Sequence, residues 1–506
     1  MLARLARNTA FSAVAFGING LIGLALVPVI VGAYGLAQFG LIILSRTLMP
    51  AGALGILDLG VAETATQAVG RARGSGDWTR AGEQLGLLLA LSVTVGAVIA
   101  ATIAISAPAL AGLFGVAAAE RESFTGVLAV TGVVLAAFFP GLVAEGVVKG
   151  FERFGALRSI EVLTVLGYAI ATVVCISAGL SYAAVAYSYL AAMLARYLAL
   201  AAVAVAAMRS AGLRPLRWSK SARDDVLRRS SLMFQSKILG TLQMPVPPLV
   251  IGALLGPAAV GLYEIITRLP RFLKSTLSLL ASAVLPVAAR LEGRGAHDQL
   301  RGLGVKSFWL VPFVTFPVLF AAAGLARPIL DLWVGPQLAA WWPWVAVMML
   351  FPILQVSLFV SQAALQVRPE YMASANRISA AGIVLQFALS LVFLRSLGAM
   401  AFVLGVALAT VLTFPFHLRL VARSLGAEAG TLWRPVLTHG ALAFAMAAVL
   451  AVVDGSIASL GAALLCAAFA AALLAYWGMA YLLLLEENAR DLIGRLASSL
   501  LHGARA

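Results

Sequence analysis

The chain has 506 residues, of which 62% are hydrophobic and only 11% are charged, and its formal net charge is +15. Soluble globular domains are about 45–50% apolar and about 25% charged, so this composition excludes a soluble enzyme and a disordered scaffold. Lipid must be the main solvent of the chain, and we predict an all-α, polytopic membrane protein.

Long apolar runs follow one another along the whole chain. A helix needs about 20 apolar residues to cross the hydrocarbon core, whereas barrel strands would show alternating runs of about ten residues. The runs are continuous and long, which favours helices. We predict about 14 transmembrane helices, at 9–31, 36–58, 84–105, 123–147, 159–179, 182–208, 231–255, 259–285, 307–326, 342–366, 378–394, 399–418, 435–453 and 457–485.

Basic residues fall mainly on every second segment between these runs. If the N-terminus is cytoplasmic, most of the 36 Lys and Arg residues lie on inward segments, and only Arg121, Arg327 and Arg395 lie on outward ones. Cytoplasmic loops of membrane proteins carry this excess. We therefore predict that both termini are cytoplasmic, and we assign the positive charge to orientation rather than to nucleic acid.

The chain contains an internal repeat. A segment that runs from proline to glycine at 28–35 recurs at 248–256, and the glycines that follow, Gly40 and Gly261, also match. Repeats of the same orientation form bundles related by an axis along the membrane normal. We predict two pseudo-symmetric six-helix lobes around a central cavity, at 1–208 and 231–430, joined by a cytoplasmic linker at 209–230. Two extra helices and a cytoplasmic tail follow at 431–506.

Enzymatic chemistry has no support in the sequence. The segments between runs are too short for a catalytic domain, and no Walker-type phosphate loop is present. Two cysteines and four scattered histidines form neither a disulfide framework nor a metal-ligand cluster. We predict a transporter without metal or cofactor.

Six basic residues lie inside the predicted spans. An Arg or Lys at a helix centre costs about 2.5–3.5 kcal/mol on insertion scales, so these residues must face a hydrated cavity or pair with an acid. We predict substrate-binding roles for Arg46, Arg196, Lys237, Arg268, Arg271 and Lys274.

The eighth predicted span carries three of these residues on one helical face, because Arg268, Arg271 and Lys274 are spaced by three. Arg46, on the second span, is close to the repeat equivalent of Arg268. We predict that these guanidinium groups meet across the cavity and bind a phosphate or pyrophosphate, for which Arg offers bidentate charge-assisted bonds.

Four further residues are predicted to gate the cavity or to form charge pairs. Proline breaks the local backbone ladder, and freed carbonyls are tolerated where they line a cavity. Asp58 lies near an inner helix end, and Glu264 precedes Arg268 by four residues. The predicted gating or charge-pair residues are Asp58, Glu264, Pro50 and Pro270.

Competing interpretations remain open for several of these charges. Glu264 and Arg268 can neutralise each other, and Arg196 can pair with a helix carbonyl or with Glu161. Lys237 and Lys274 are placed to extend to the inner surface. Arg46 and Arg271 have no obvious acid nearby in the sequence, which favours a role in the cavity for both.

These motifs resemble those of a known family. The Gly32-Ala-Tyr-Gly35 turn that leads to Gly40, the segment Leu57-Asp58-Leu59-Gly60, and the basic loop with Gly76-Asp77 are similar to those of bacterial polysaccharide flippases. These flippases are the O-antigen and exopolysaccharide translocases of the multidrug/oligosaccharidyl-lipid/polysaccharide exporter superfamily. The resemblance covers residues 1–430, and the last two helices are similar to those of lipid II flippases.

The resemblance implies a cargo, a direction and partners. It implies translocation of an undecaprenyl-pyrophosphate-linked oligosaccharide from the cytoplasmic to the periplasmic leaflet of the cell inner membrane, by alternating access. It also implies a monomer that works with a polysaccharide polymerase and a chain-length regulator. A lipid II flippase and a cation-coupled multidrug exporter remain alternatives, although an exporter of cationic drugs would favour carboxylates in the cavity.

Overall fold

A computed structural model describes residues 2–49, 60–215, 217–220, 242–282, 294–366, 368–458 and 461–484, with a few isolated positions between them. This part of the chain forms sixteen helices and contains no strand. The helices are α1 (Leu2–Thr47), α2 (Val61–Ser75), α3 (Trp78–Leu113), α4 (Ala118–Gly150), α5 (Phe154–Ser177), α6 (Tyr182–Ser210), α7 (Val246–Leu255), α8 (Pro257–Ser282), α9 (His297–Gly324), α10 (Ala326–Val334), α11 (Pro336–Ala339), α12 (Trp342–Leu365), α13 (Pro369–Leu397), α14 (Met400–Leu425), α15 (Ala429–Ala458) and α16 (Ala462–Leu483).

Eleven helices in the described residues are long and apolar enough to cross a membrane, namely α1, α3 to α6, α9 and α12 to α16. The long helix α1 covers the first predicted span and the start of the second. The shorter apolar helix α7 lies at the end of the span predicted at 231–255, and α8, which carries four charged residues, coincides with the span predicted at 259–285. The prediction of an all-α, polytopic membrane protein is confirmed.

The helix α2 lies in a segment that was predicted to be a connection between spans. Its buried residues Val61, Ala65 and Val69 form one stripe, and the helix packs against α4. Glycine on α4 permits this approach, because a Cβ on Gly146 would lie only 2.7 Å from the Cβ of Ala65. The short apolar stripe was missed because arginines on the exposed face make the segment resemble a basic loop.

Equivalent glycines of the internal repeat have the same unusual backbone conformation. Gly35 divides α1 into two helical segments with φ 72° and ψ 177°, and Gly256 separates α7 from α8 with φ 82° and ψ 176°. Residues with a side chain rarely adopt positive φ, so glycine is required at both breaks. The repeat therefore extends from sequence to backbone geometry at this motif.

The next pair of repeat-equivalent glycines forms a helix crossing. A Cβ on Gly40 would overlap the carbonyl of Pro257 and would lie 3.2 Å from the backbone nitrogen of Gly261. A Cβ on Gly261 would in turn overlap the carbonyl of Leu36. The two backbones are thus in direct contact, and α8 begins against the second segment of α1.

The chain divides into two compact units, and the division falls inside α8. The first unit contains residues 1–265 and 393–400, and the second contains 266–392 and 401–506. In the first, α4 packs against α2, α3 and α6, and Phe138 lies edge to face with Phe139 and Tyr197. In the second, α9 packs against α12, α15 and α16. The predicted boundaries at 208, 230 and 430 stay a prediction.

Candidate functional site

Arg46 lies in the last turn of α1, and its guanidinium lies over two tyrosine rings. The Arg46 Cζ is 4.5 Å from the centroid of the Tyr189 ring and 5.5 Å from that of the Tyr168 ring. The rings lie edge to face, with centroids 5.3 Å apart. A ring face attracts a cation through its quadrupole and does not neutralise it, so Arg46 is stabilised as a cation.

The two tyrosines come from neighbouring helices. Tyr168 lies on α5 and Tyr189 on α6, and both are buried, with 4% and 8% of their surface exposed. On α5, Thr164 and Thr172 flank Tyr168 by one turn on either side, and their hydroxyls donate to carbonyls of the same helix at 2.7 and 2.8 Å. These threonines are therefore internally satisfied.

The hydroxyl of Tyr168 is different. Its oxygen is buried and has no hydrogen-bond partner within the part of the chain that the structure describes. An unsatisfied buried hydroxyl costs free energy, and a polar ligand or water at this position would recover it. A cation and an unsatisfied hydroxyl thus belong to the same cluster of side chains, which is the combination that an anionic group with several acceptor oxygens can use.

Glu264 contributes the acid of this site. It lies near the start of α8, is 6% exposed, and acts electrostatically on Arg46. Arg46 has no acid near it in the sequence, and Glu264, far along the chain, acts on it because the contact of Gly40 with Gly261 brings α8 beside α1. The pairing of Glu264 with Arg268 stays a prediction.

Arg196 belongs to a network of five charges across α4, α5 and α6. Its Nη2 lies 3.3 Å from Glu145 Oε2 and 3.3 Å from Glu161 Oε1. Lys149 Nζ lies 2.7 Å from Glu145 Oε1, and Arg158 Nη1 lies 2.7 Å from Glu161 Oε2. The pairing with Glu161 was one of the alternatives expected from sequence, and the structure adds Glu145. Arg196 is thus engaged in linking three helices.

The three basic residues of α8 beyond the division lie in the second unit. The Nε of Arg271 donates to the carbonyl of Thr267 at 3.2 Å. The Nζ of Lys274 lies 4.1 Å from the ring centroid of Phe351 and 6.0 Å from that of Phe359. Arg268 is partly buried and has polar interactions of its own. The helix is continuous through Pro270, so the predicted placement on one helical face holds.

Some predicted site residues are not covered by the structure. Lys237, Pro50 and Asp58 lie outside the described residues. The predicted convergence of Arg46 with Arg268 and Arg271 stays a prediction.

The comparisons with known proteins give a family and a fold. The model of a family described as polysaccharide biosynthesis protein matches residues 77–346, more than half of the chain. The chain belongs to this family. No curated protein sequence matches it. The polysaccharide biosynthesis family was expected from the resemblance, and the match confirms that expectation.

Solved transporter structures share the fold of this chain. The lipid II flippase MurJ, in an inward closed conformation, is 11% identical with a TM-score of 0.71, over 96% of this chain and 99% of that one. An inward-facing multidrug resistance MATE transporter of the MOP superfamily is 15% identical with a TM-score of 0.66, over 83% and 96%. A MOP superfamily transporter from Pyrococcus furiosus is 17% identical with a TM-score of 0.60, over 84% and 96%. The fold is therefore that of the MOP superfamily.

Proposed function

We propose that this protein is a flippase that moves an undecaprenyl-pyrophosphate-linked oligosaccharide from the cytoplasmic to the periplasmic leaflet, for O-antigen or exopolysaccharide synthesis. Membership in a polysaccharide biosynthesis family and the fold of MOP transporters support a lipid-linked glycan as cargo. The observation that carries the proposal is the Arg46 guanidinium over the rings of Tyr168 and Tyr189.

The headgroup of such a cargo is a diphosphate, and its passage needs a buried cation. Charges inside a bilayer are expensive, which restricts them to positions where they are paired or wet. Arginine binds phosphate by two parallel charge-assisted hydrogen bonds. In this proposal Arg46 binds the diphosphate, the hydroxyl of Tyr168 donates a further hydrogen bond, and the ring of Tyr189 holds the guanidinium in place.

In this proposal, Glu264 links cargo binding to a change in the interactions of Arg46. This carboxylate acts on Arg46, which limits the cost of a buried cation. A diphosphate carries more negative charge than one carboxylate and can therefore replace Glu264 as the partner of Arg46. The exchange of partners on α8 is the local event that we propose to accompany alternating access.

The remaining predicted residues keep secondary roles in the proposal. Arg196 positions α4, α5 and α6 through its two carboxylates and acts on the cargo indirectly. Binding roles for Arg268, Arg271 and Lys274 are proposed from the sequence alone. Roles for Lys237, Pro50 and Asp58 are likewise proposed from the sequence alone.

The proposed orientation places both termini in the cytoplasm of a cell with an inner membrane. Alkaline phosphatase and green fluorescent protein fusions at residue 506 and after Arg395 test this, since each reporter works on one side of the membrane only. We expect fluorescence from the fusion at residue 506 and phosphatase activity from the fusion after Arg395. The opposite pattern would overturn the orientation.

A lipid II flippase is the second candidate. The comparison with MurJ covers 96% of this chain and 99% of that one, whereas the comparison with the MATE transporter covers 83% of this chain. Depletion separates the two functions. Loss of viability and of cell wall would favour lipid II, and loss of surface polysaccharide in viable cells would favour the first proposal.

A multidrug exporter is less well supported because the charge of the site has the wrong sign for cationic drugs. The Pyrococcus furiosus transporter is described as having a binding pocket of reverse polarity, which suggests a different function for that protein. The same reasoning applies to a site built around Arg46. A drug-resistance phenotype on overexpression would count against our proposal.

The proposal is tested by complementation of a deletion strain. We expect the wild-type protein and Arg121→Ala, a control at an exposed position at the start of α4, to restore surface polysaccharide. We expect Arg46→Ala to insert in the membrane at normal levels without restoring polysaccharide, and lipid-linked oligosaccharide to accumulate. Normal polysaccharide with Arg46→Ala would refute the assignment.

A further inference from the structure

A cavity of about 890 Å³ lies in the first unit, between α3, α4 and α6. Pockets that bind small ligands measure roughly 300–1,000 Å³. Its walls are apolar along most of their length, with Leu89 on α3, Pro140 on α4 and Leu198 on α6. Arg209 and Arg214 line one end of the cavity. Neither Arg46 nor its tyrosines line it. We call it the α3–α6 groove.

Local packing explains why the groove is open. At the end away from the arginines α4 and α6 are in direct contact, because a Cβ on Gly141 would lie only 2.7 Å from Cδ1 of Tyr197. Beyond that contact the facing side chains are small, with Ala144 on α4 and Ala201 and Ala204 on α6. Small residues beside a tight contact leave space that the neighbouring helices do not fill.

The length of the groove matches one leaflet of a bilayer. Its lining residues on α6 run from Tyr197 to Arg209, a distance of about 18 Å at a rise of 1.5 Å per residue. Half of the hydrocarbon core measures about 15 Å. An acyl chain that begins at the arginines would therefore end near the contact between Gly141 and Tyr197.

The arginine end is built by the turn that ends α6. Arg209 lies in the last turn, Gly212 has φ 66°, and the backbone nitrogen of Leu213 donates to the carbonyl of Met208 at 2.9 Å. Leu213 is buried, so the chain returns towards the groove and Arg214 lines it with Arg209.

More positive charge follows directly after this turn. Arg217, Lys220 and Arg223 are exposed. The hydroxyl of Ser219 donates to Glu83 of α3 at 2.6 Å, which holds this segment beside α3. Clusters of basic residues at the cytoplasmic end of a transmembrane helix attract anionic lipids. The apolar groove thus suits an acyl chain, and the positive charge at its end suits the anionic headgroup of the same lipid.

We propose that the α3–α6 groove binds an anionic phospholipid of the cytoplasmic leaflet, with an acyl chain along α6 and the phosphate on Arg209 and Arg214. The apolar walls exclude a sugar, and the paired arginines select negative headgroups over zwitterionic ones. The inference uses the orientation of the proposed function but not its cargo, so it can fail while the flippase assignment stands.

Native mass spectrometry of the purified full chain tests the proposal. The protein is exposed to equal amounts of phosphatidylglycerol and phosphatidylcholine with the same acyl chains, and retained lipid is counted. We expect the wild-type protein to retain one phosphatidylglycerol, and Arg209→Ala/Arg214→Ala to weaken its binding at least about tenfold. Arg217→Ala/Lys220→Ala removes the same charge outside the groove and is expected to have a much smaller effect.

A second pair of variants tests the apolar part. Ala201→Phe fills the groove and is expected to abolish retention, whereas Ala202→Phe, at an exposed neighbouring position, is expected to leave it unchanged. Equal losses of binding in Arg209→Ala/Arg214→Ala and in Arg217→Ala/Lys220→Ala would show general electrostatic attraction instead of a site, and would overturn the proposal. Preferential retention of undecaprenyl phosphate over phosphatidylglycerol would also overturn it, by identifying the carrier as the occupant.

Discussion

Gly40 of α1 and Gly261 of α8 occupy equivalent positions in the internal repeat, and they contact each other where the two helices cross. Arg46 lies six residues after Gly40, and Glu264 lies three residues after Gly261. A crossing that admits no Cβ fixes the distance between the helices. It therefore also fixes how closely the acid of the candidate site approaches the cation.

The crossing predicts a strong effect of one methyl group. Gly40→Ala should destabilise the protein by about 1–3 kcal/mol, because its Cβ meets backbone that cannot move aside. Gly32→Ala is the matched control in the same helix, since a Cβ there meets nothing within 4 Å. Denaturant unfolding in detergent compares the two variants, and equal stability would contradict the close crossing.

The hydroxyl of Tyr168 is expected to contribute to cargo binding but not to the stability of the fold. Its buried hydroxyl has no partner in the described structure, so Tyr168→Phe should leave the free energy of unfolding unchanged or slightly higher. If the hydroxyl donates to the diphosphate, the same change should weaken cargo binding about tenfold or more, as expected for a hydrogen bond to a charged group.

Unfolding and binding assays on one preparation of Tyr168→Phe and of the wild-type protein measure both quantities. A loss of stability with unchanged affinity would show that the hydroxyl serves the fold instead. Tyr182→Phe, which removes a hydroxyl that donates to the carbonyl of Glu120 at 3.4 Å, is the control for loss of a satisfied group.

Tyr189 contacts Arg46 through its ring face and through its hydroxyl, and two variants that both lack the hydroxyl isolate the contribution of the ring. Tyr189→Phe keeps a ring face beneath Arg46, whereas Tyr189→Leu removes it. A desolvated cation–π contact contributes about 1–2 kcal/mol, so the leucine variant should bind the diphosphate about five- to thirtyfold more weakly than the phenylalanine variant. Equal affinities of the two variants would exclude a role for the ring.

The sequence predicted the helical class, the approximate positions of the spans that the structure describes and the repeated glycine motif. Apolar runs of membrane-spanning length, and glycines where the backbone needs positive φ, can be recognised in the sequence itself. The partners of Arg46 cannot be recognised in the sequence in this way. Tyr168, Tyr189 and Glu264 lie on three other helices, far along the chain, and nothing local distinguishes them as partners of this arginine. Glu161 was expected as a partner of Arg196 because it is an acid inside a neighbouring span.

The charge network predicts that Glu161 contributes more to the stability of the protein than Glu152 does. The Glu161 side chain is 14% exposed and contacts Arg158 and Arg196, whereas the Glu152 side chain is 68% exposed and its Oε1 lies 3.3 Å from Arg73 Nη1. Glu161→Gln should destabilise by about 1–3 kcal/mol, because Glu145 would then be the one carboxylate of this network left to balance Arg196, Arg158 and Lys149. Glu152→Gln should cost no more than about 1 kcal/mol.

Denaturant unfolding of both glutamine variants provides the comparison, and high salt should reduce the small effect at Glu152 more than the large one at Glu161. If Glu161→Gln were as stable as the wild-type protein, Arg196 would not depend on this carboxylate. Its assignment as a positioning residue would then have to be withdrawn.

Arg46 is proposed to bind the diphosphate in competition with Glu264. The affinity of the purified protein for undecaprenyl pyrophosphate tests this most directly. We expect Arg46→Ala to bind at least about tenfold more weakly than the wild-type protein, and Glu264→Gln to bind more tightly. Unchanged affinity in a correctly folded Arg46→Ala protein would contradict the account.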